Sequence, residues 1–596
     1  MFQSFEVTAR PEQGPPRLAA LRAVLEAEGL DGFLVPRADA HQGEYVSARD
    51  ERLAWLTGFT GSAGFCIALR DVAGVFIDGR YRTQVKAQVA SEFTPVPWPE
   101  TSPAVWLKDQ LPNGGKIGFD PWLHTPGQIT LAEDGLKGSG IVLVQCENLV
   151  DHVWTDQPGP AAEPAKVHPL EFAGESHEDK RKRLAADLTE AGAASAVITL
   201  PDSVCWLLNI RGADIPRNPI AQGFAVLHCS GAVDLYMAPA KLDEVRDHLG
   251  ADVTCHAPDA FLDALTHLEG PVRLDKSSVP VIVADKVGDR VQWGDDPCAL
   301  PKACKNAAEI AGSAEAHLRD GGAVVELLAW LDAHAPGDLR ETQVVTQLEQ
   351  FRRRDNALQD ISFETIAGTG PNGAIMHYRV TEETDSTLED GHLIVLDSGG
   401  QYLDGTTDIT RTIAIGTPLD EARVAFTRVL TGMIAMSRLI WPKGLAGRDI
   451  EAIGRAPLWY AHQDFDHGLG HGVGAYLSVH EGPQRLSRVS TVPFQPGMIL
   501  SNEPGYYREG GFGIRIENLI VVEKAECPPG GDTHREMLSW RTLTFAPIDR
   551  RLIVVDMLDA PSRAWLNAYH AETFEKIAPR VSDAARAWLE RACAPL

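Results

Sequence analysis

Apolar residues recur along the chain with two different periods, and the switches between them mark out its elements. Leu18, Leu21, Val24 and Leu25 follow one another at helical spacing between Pro16 and Leu30, which predicts a helix with a core-facing stripe. The apolar strand G-F-L-V-P comes next, then L-A-W-L-T-G and a pair of strand-like segments. The same succession begins again at His177, with a helix to Ala191, the strand S-A-V-I-T-L, then V-C-W-L-L-N and further strands. The repetition predicts duplicated α/β units. Two composition shifts bound the second unit. V-W-T-D-Q-P-G-P-A-A-E-P-A-K-V-H-P is dense in Pro, Ala and charge and reads as a linker ending near Ser176, and Asp296 to Lys305 form a break before a long helix starting near Asn306.

Beyond that helix the pattern changes to short strand-like segments that carry carboxylates and histidines among glycines. They read L-D-S-G-G-Q-Y, D-G-T-T-D-I-T-R-T, H-G-L-G-H-G-V-G, V-H-E-G-P, N-E-P-G-Y-Y and I-R-I-E-N between Asp397 and Glu517. Alternate residues of a strand share one face. Asp397 ends the apolar strand H-L-I-V-L-D, Asp408, Thr410 and Thr412 share a face of the next, and Arg515, Glu517 and Leu519 lie on one side of G-I-R-I-E-N-L-I-V-V. Glu503 precedes Pro504 and is biased to extended backbone. His471 sits among Gly470, Gly472 and Gly474, so backbone can approach it closely.

Two carboxylates about 4 Å apart repel by roughly 4 kcal/mol at an effective dielectric of about 20. Acidic groups this numerous are therefore expected to converge around cations, and Asp397, Asp408, His471, Glu503 and Glu517 form the candidate ligand set. Four carboxylate charges match two divalent ions better than one. Taken alone, an Asp at a strand end is ordinarily a turn residue and a Glu on a strand face is ordinarily solvated; their order and joint occurrence set these apart. His467 and His471 imitate the spacing of a helical H-E-x-x-H zinc site. Gly468 stands where the Glu would be and the glycines disfavour a helix, so that motif is rejected. Oxygen-rich ligation with one imidazole and no thiolate suits manganese, with cobalt or zinc as alternatives.

In order and spacing these motifs resemble those of the pita-bread metallopeptidases, most closely the three-domain Xaa-Pro aminopeptidases known as aminopeptidase P. L-A-W-L-T-G-F-T-G-S-A-G, I-D-G-R-Y, L-N-I-R-G-A-D-I-P-R-N-P and W-L-N-A-Y-H extend the similarity to the long cytosolic branch over nearly the whole chain. The resemblance implies an α/β (α+β) fold: two creatinase-like N-terminal α/β domains over 1–160 and 176–300, a pita-bread catalytic domain over 305–540, and a C-terminal extension over 541–596. It implies that Asp397 and Asp408 chelate one side of a dinuclear manganese centre, that Glu503 and Glu517 bridge or cap it, and that His471 serves one ion. Glu503 would also accept a proton from the water shared by the ions. His377 and His480 would contact substrate carbonyls and stabilise the tetrahedral intermediate, and His467, Tyr507 and Arg515 would line the proline pocket. The implied reaction is release of the N-terminal residue from peptides with proline in second place. A prolidase acting on Xaa-Pro dipeptides is the rival enzyme, and a non-catalytic peptide-binding scaffold the rival from another class. Creatinase and the histone-chaperone domains of this fold lack the ligand set.

Composition narrows the partners. The chain has 596 residues, 44% of them hydrophobic, enough for several domains with packed cores. Its formal charge of −27 argues against nucleic acid or anionic membrane. K-R-K-R at Lys180 to Arg183 reads as the solvated face of a helix in so acidic a chain, and Gly61 and Gly64 lack the G-K-[ST] of a phosphate loop. No apolar run approaches a membrane span, and M-F-Q-S-F-E-V-T-A-R lacks the pattern of a signal peptide, so a cytoplasmic location is expected. The nine cysteines show no disulfide framework or zinc spacing; Cys66, Cys205 and Cys229, in apolar strand-like contexts, read as small buried hydrophobes, and Cys298 and Cys304 as unpaired neighbours. In the tail, Trp565, Leu566, Tyr569 and Phe574 form an apolar face that packs on its own domain or on a second subunit. The resemblance favours a homodimer.

Overall fold

The computed structural model describes residues 1–596, which form two compact units. One comprises Thr8–Leu170 and Glu175–Ala299; the other comprises Leu300–Leu596 with Met1–Val7 and Glu171–Gly174.

The first unit holds the duplication that the pattern predicts. In its first half, strand Gly32–Pro36 pairs antiparallel with Phe65–Leu69 and parallel with Gly115–Phe119. In its second half, Ser195–Ile198 pairs antiparallel with Phe224–His228 and parallel with Val272–Leu274. Each half extends outward in the same way to a six-stranded mixed sheet, with parallel strands at both edges. Helix Gly14–Ala27 buries Leu18, Leu21 and Leu25 against the first sheet's core, as its spacing requires. Helix His177–Glu190 starts at Ser176, whose side chain accepts from Asp179 N.

Two expectations for this unit fail. Lys180 and Arg181 are buried, not solvated. The Lys180 ammonium donates to Trp206 O and Asn209 Oδ1 and lies 4.2 Å from the Trp206 ring centre, while Arg181 Nη1 donates to Gly231 O. Their aliphatic stems cover core surface, and local acceptors replace water at the charged ends. Cys66 and Cys205 are buried, but Cys229 is exposed, and Cys205 lies in helix Pro201–Leu208. None of the nine cysteines is in a disulfide.

The second unit contains the long helix Ala307–His334, whose start is fixed by a capping box between Asn306 and Glu309. Strands Ile366–Thr369, Leu393–Ser398 and Ile409–Ala414 form one antiparallel sheet. A second sheet carries, in order, Ile440–Pro442, Met537–Thr542, Asn518–Lys524, Ile499–Asn502, Gly470–Gly472 and Glu481–Leu486. Helices Asp420–Ser437 and Gly447–Trp459 share with this sheet a core containing Phe426, Met433, Trp441, Leu469, Leu500 and Ile520. The segment G-I-R-I-E-N-L-I-V-V is not one strand. It breaks at Ile516 and Glu517, whose N–H groups turn to Pro504 O and Thr410 O.

The tail forms helices Ala560–Ile577 and Asp583–Ala592. Leu566 and Tyr569 are buried in the core just described, with Trp565 and Phe574 packed at its edge. Tyr569 Oη accepts from Arg411 Nη2 at 2.8 Å and donates to Ala546 O at 2.9 Å. The apolar face of the tail is thus covered by its own unit. No helix is long and apolar enough to cross a membrane.

Candidate metal centre

Asp397 is the last but one residue of strand Leu393–Ser398 and stands opposite Thr410. Asp408 sits just before the partner strand Ile409–Ala414. Thr410 Oγ1 donates to Glu517 Oε2 at 2.8 Å and Thr412 Oγ1 to Arg515 O at 2.9 Å, so alternate residues of this strand all face the 515–517 segment. The strand break there leaves the Glu517 carboxylate beside Asp408 and Asp397, each of which raises its pKa.

His471 occupies the middle of strand Gly470–Gly472. A Cβ at Gly470 would run into Ser501 O, and one at Gly472 into Glu481 O, which accounts for both glycines. The His471 N–H donates to Ser501 Oγ at 2.9 Å, and Ser501 Oγ donates to Glu503 Oε1 at 3.0 Å. His471 Nδ1 lies 2.9 Å from Gly472 O. With its proton held there, Nε2 presents a lone pair to Asp408 Oδ2 at 3.5 Å and Glu503 Oε1 at 3.4 Å. A second hydrogen bond that fixes the tautomer in this way is usual for an imidazole prepared to bind metal. Ligating atoms of Asp408, His471 and Glu517 all lie within 4.8 Å of one another.

These groups are acceptors facing acceptors. Asp397 Oδ1 and Glu517 Oε1 are buried with no hydrogen-bond partner, a condition that costs about 1–3 kcal/mol per group, and more for a charge. Burial, and then the neighbouring Asp397, holds the Asp408 carboxyl well above the usual range; burial and then Asp408 do the same to Glu517. Glu503 is pushed up to about 7 by burial and by Glu517. Divalent cations would satisfy the orphaned oxygens and remove the mutual repulsion, so the donor set fits a hard-metal centre.

Behind the carboxylates lies a chain of hydrogen bonds. The buried Arg515 guanidinium donates from Nε and Nη2 to Asp397 Oδ2 at 3.1 and 2.6 Å, and from Nη1 to Tyr507 Oη at 2.6 Å. His467 Nδ1 lies 2.7 Å from Gly468 O, leaving Nε2 to accept from Tyr507 Oη at 2.9 Å. Burial pushes the Tyr507 phenol up to about 12, so it stays a donor. His467, Tyr507 and Arg515 are therefore brought together beside the centre, but the Arg515 head group is taken up by Asp397 and Tyr507. Thr410 and Thr412, which the alternation with Asp408 places on the site's face, aim these groups, whereas Ser501 holds His471 and Glu503 with no comparable signal in the sequence.

The remaining two candidates differ in how closely they are tied to the centre. The His480 ring packs edge-on against His471, with centroids 4.3 Å apart. His377, half-buried, lies in the turn after the short helix Gly370–Ala374. That helix packs on the strand ending at Arg515, since a Cβ at Gly513 would run into Gly373 O.

Comparison with known proteins identifies the family. Residues 303–524 match the model of metallopeptidase family M24, 17–153 and 156–309 match creatinase/prolidase N-terminal domains, and 536–596 match the C-terminal region of peptidase M24. Across 97% of its length the chain is 37% identical to a probable Xaa-Pro aminopeptidase P of Aspergillus niger, covering 98% of that protein. The chain belongs to metallopeptidase family M24, in its aminopeptidase P branch. A probable Xaa-Pro aminopeptidase P of Coccidioides posadasii is 36% identical over 99% of this chain and 95% of the relative. Among solved structures, X-prolyl aminopeptidase from Caenorhabditis elegans, described as a cytosolic enzyme with a di-nuclear active site, superposes with a TM-score of 0.92 at 31% identity, covering 98% of this chain and all of that one. The fold of the family, two creatinase-like N-terminal domains and a pita-bread domain, is the fold of this M24 chain. Prolidase from Pyrococcus horikoshii shares the fold over 62% of it, at 23% identity and a TM-score of 0.50.

Proposed function

We propose that this chain is a metal-dependent aminopeptidase that releases the N-terminal residue from peptides whose second residue is proline. The observation that carries this reading is the convergence of Asp397, Asp408, His471, Glu503 and Glu517, with two buried carboxylate oxygens left without a donor. These five side chains would hold two divalent cations; the di-nuclear centre named for the C. elegans relative supports the number, and the oxygen-rich set supports manganese. Bound there, the ions would supply a water of lowered pKa and a Lewis acid for the scissile carbonyl.

The protein's own groups would do the rest. Glu503 would accept the proton of the attacking water, and His480 and His377 would donate to the substrate carbonyl oxygens as negative charge develops. Arg515 would fix Asp397 and Tyr507, and with His467 these would shape the wall that meets the proline ring. Proline forms a tertiary amide without an N–H. Any other second residue would bring a buried donor with no acceptor, at a cost of about 1–3 kcal/mol, which is about 5- to 150-fold in discrimination.

Domain limits of 1–160, 176–300, 305–540 and 541–596 are proposed as the functional layout. A cytoplasmic location is supported by the cytosolic description of the C. elegans relative. A homodimer, the assembly implied by the family resemblance, would have to use a surface other than the apolar face of the tail. Kinetics on three peptides test the activity. Arg-Pro-Pro should be cleaved rapidly, Arg-Ala-Pro much more slowly, and Gly-Pro less well than the tripeptide. Preference for Gly-Pro would make the protein a prolidase, and equal rates on the two arginine peptides would remove the proline pocket.

A further inference from the structure

Outside the candidate ligands, the second unit contains a buried ionic cluster with two cations and one anion. Lys302, Lys305 and Glu481 are all buried. Lys302 Nζ lies 2.9 Å from Glu481 Oε2, Lys305 Nζ donates to Glu481 Oε1, and Lys305 Nζ also donates to Lys302 O at 2.9 Å. The lysines belong to a segment tied down independently, by a bridge between Cys304 and Met498 and a hydrogen bond from Lys305 N to Gly497 O. Glu481 is therefore hydrogen-bonded on Oε1 and in ion-pair contact on Oε2, which has no hydrogen-bond partner, with lysines carried by a fixed piece of backbone.

A buried ion cluster is a poor way to stabilise a fold, because desolvation offsets most of the attraction. What distinguishes this one is its position. Glu481 follows His480 directly and opens strand Glu481–Leu486, where it pairs with Gly472, the neighbour of His471. The chain is closely packed on that side as well, since a Cβ at Gly474 would stand 3.1 Å from Glu481 Oε2. Immobilising the Glu481 carboxylate thus leaves the preceding residue little freedom to shift or rotate. That residue carries the imidazole packed 4.3 Å from the His471 ring.

We propose that Lys302, Lys305 and Glu481 are positioning residues for the peptidase reaction, clamping the start of strand Glu481–Leu486 so that His480 is held in register with the metal centre. The assignment rests on the reading of His480 as a group that meets the substrate carbonyl. The cluster itself would act only through the adjoining backbone.

Glu481→Gln, Lys302→Met and Lys305→Met, each alone and combined with His480→Ala, test the clamp. Either lysine substitution leaves a one-to-one ion pair, so these variants carry the test if Glu481→Gln does not fold. Turnover of Arg-Pro-Pro, metal content by elemental analysis, and thermal midpoint are measured for each. Glu481→Gln should lower kcat by about 10- to 100-fold and each lysine variant by about tenfold, the usual range for a partner that orients a functional group. Metal content and KM should stay at parental values. In the His480→Ala background the same substitutions should cost less than about twofold, because residues acting through one group are not additive. Losses that repeat in full without the imidazole, or parental kcat in all three single variants, would overturn the clamp while leaving the role of His480 intact. If His480→Ala itself kept full activity, the reading of His480 would fall and the clamp with it.

Discussion

Arg515 offers the sharpest perturbation, because one buried side chain joins a candidate ligand to a candidate pocket residue. Replacing it with Met keeps much of the stem and removes every donor. Asp397 Oδ2 then loses bonds of 3.1 and 2.6 Å at a carboxylate whose Oδ1 already has no partner. Bonds to charged groups are worth about 1.5–3 kcal/mol each, so the two together set an upper limit of about 3–6 kcal/mol. With metal present the loss should appear as a misplaced ligand: affinity for manganese lower by about 10- to 100-fold. Arg515→Lys restores the charge but not a fork able to span Asp397 and Tyr507, so it should recover metal affinity before it recovers turnover. Metal titration by calorimetry and kcat/KM on Arg-Pro-Pro at saturating manganese read the two effects separately. Parental affinity and parental turnover in Arg515→Met would refute the idea that this guanidinium organises the centre.

Other predictions follow the same geometry. His471→Ala should release metal, whereas His377→Ala should retain it and lose about 10²–10³-fold in kcat/KM, the usual effect of one missing oxyanion donor; equal metal loss in both would erase the division of roles. His570 is buried and its Nε2 accepts from Ile548 N at 3.1 Å, and burial, then Arg411 and Arg550, push its pKa down to about 3. The unfolded chain binds a proton there near the ordinary value of about 6.5. Between those values the unfolded state holds more protons, so stability falls as pH falls, by about 2 kcal/mol from this group at about pH 5. His570→Gln, whose side-chain carbonyl can accept from the same N–H, should lose less thermal stability between about pH 7 and 5 than the parental protein; identical pH dependence would contradict the assignment.

Much of the centre is legible in sequence because strand geometry is local. The alternation Asp408, Thr410, Thr412 gives a shared face whatever lies opposite, and a residue before proline is biased to extended backbone. The duplicated N-terminal halves are legible for the same reason, since each repeats one order of helix and strands. Contacts between distant segments are not. Nothing around Arg515 announces that its charge is satisfied 118 residues away by Asp397, nor that Lys302 and Lys305 converge on Glu481. The burial of Lys180 and Arg181 depends on carbonyls of other elements, so a basic run that looks solvated is half enclosed. The break at Ile516 and Glu517 is set by Pro504 O and Thr410 O, acceptors supplied by other segments, where the pattern alone suggests an unbroken strand.

The converging carboxylates and His471 are expected to hold two cations for peptide hydrolysis. Titrating exhaustively chelated protein with manganese, while following release of arginine from Arg-Pro-Pro, tests it in one measurement. No cleavage is expected without metal, and activity should saturate close to two equivalents per chain. Full cleavage by protein shown to be metal-free would contradict it.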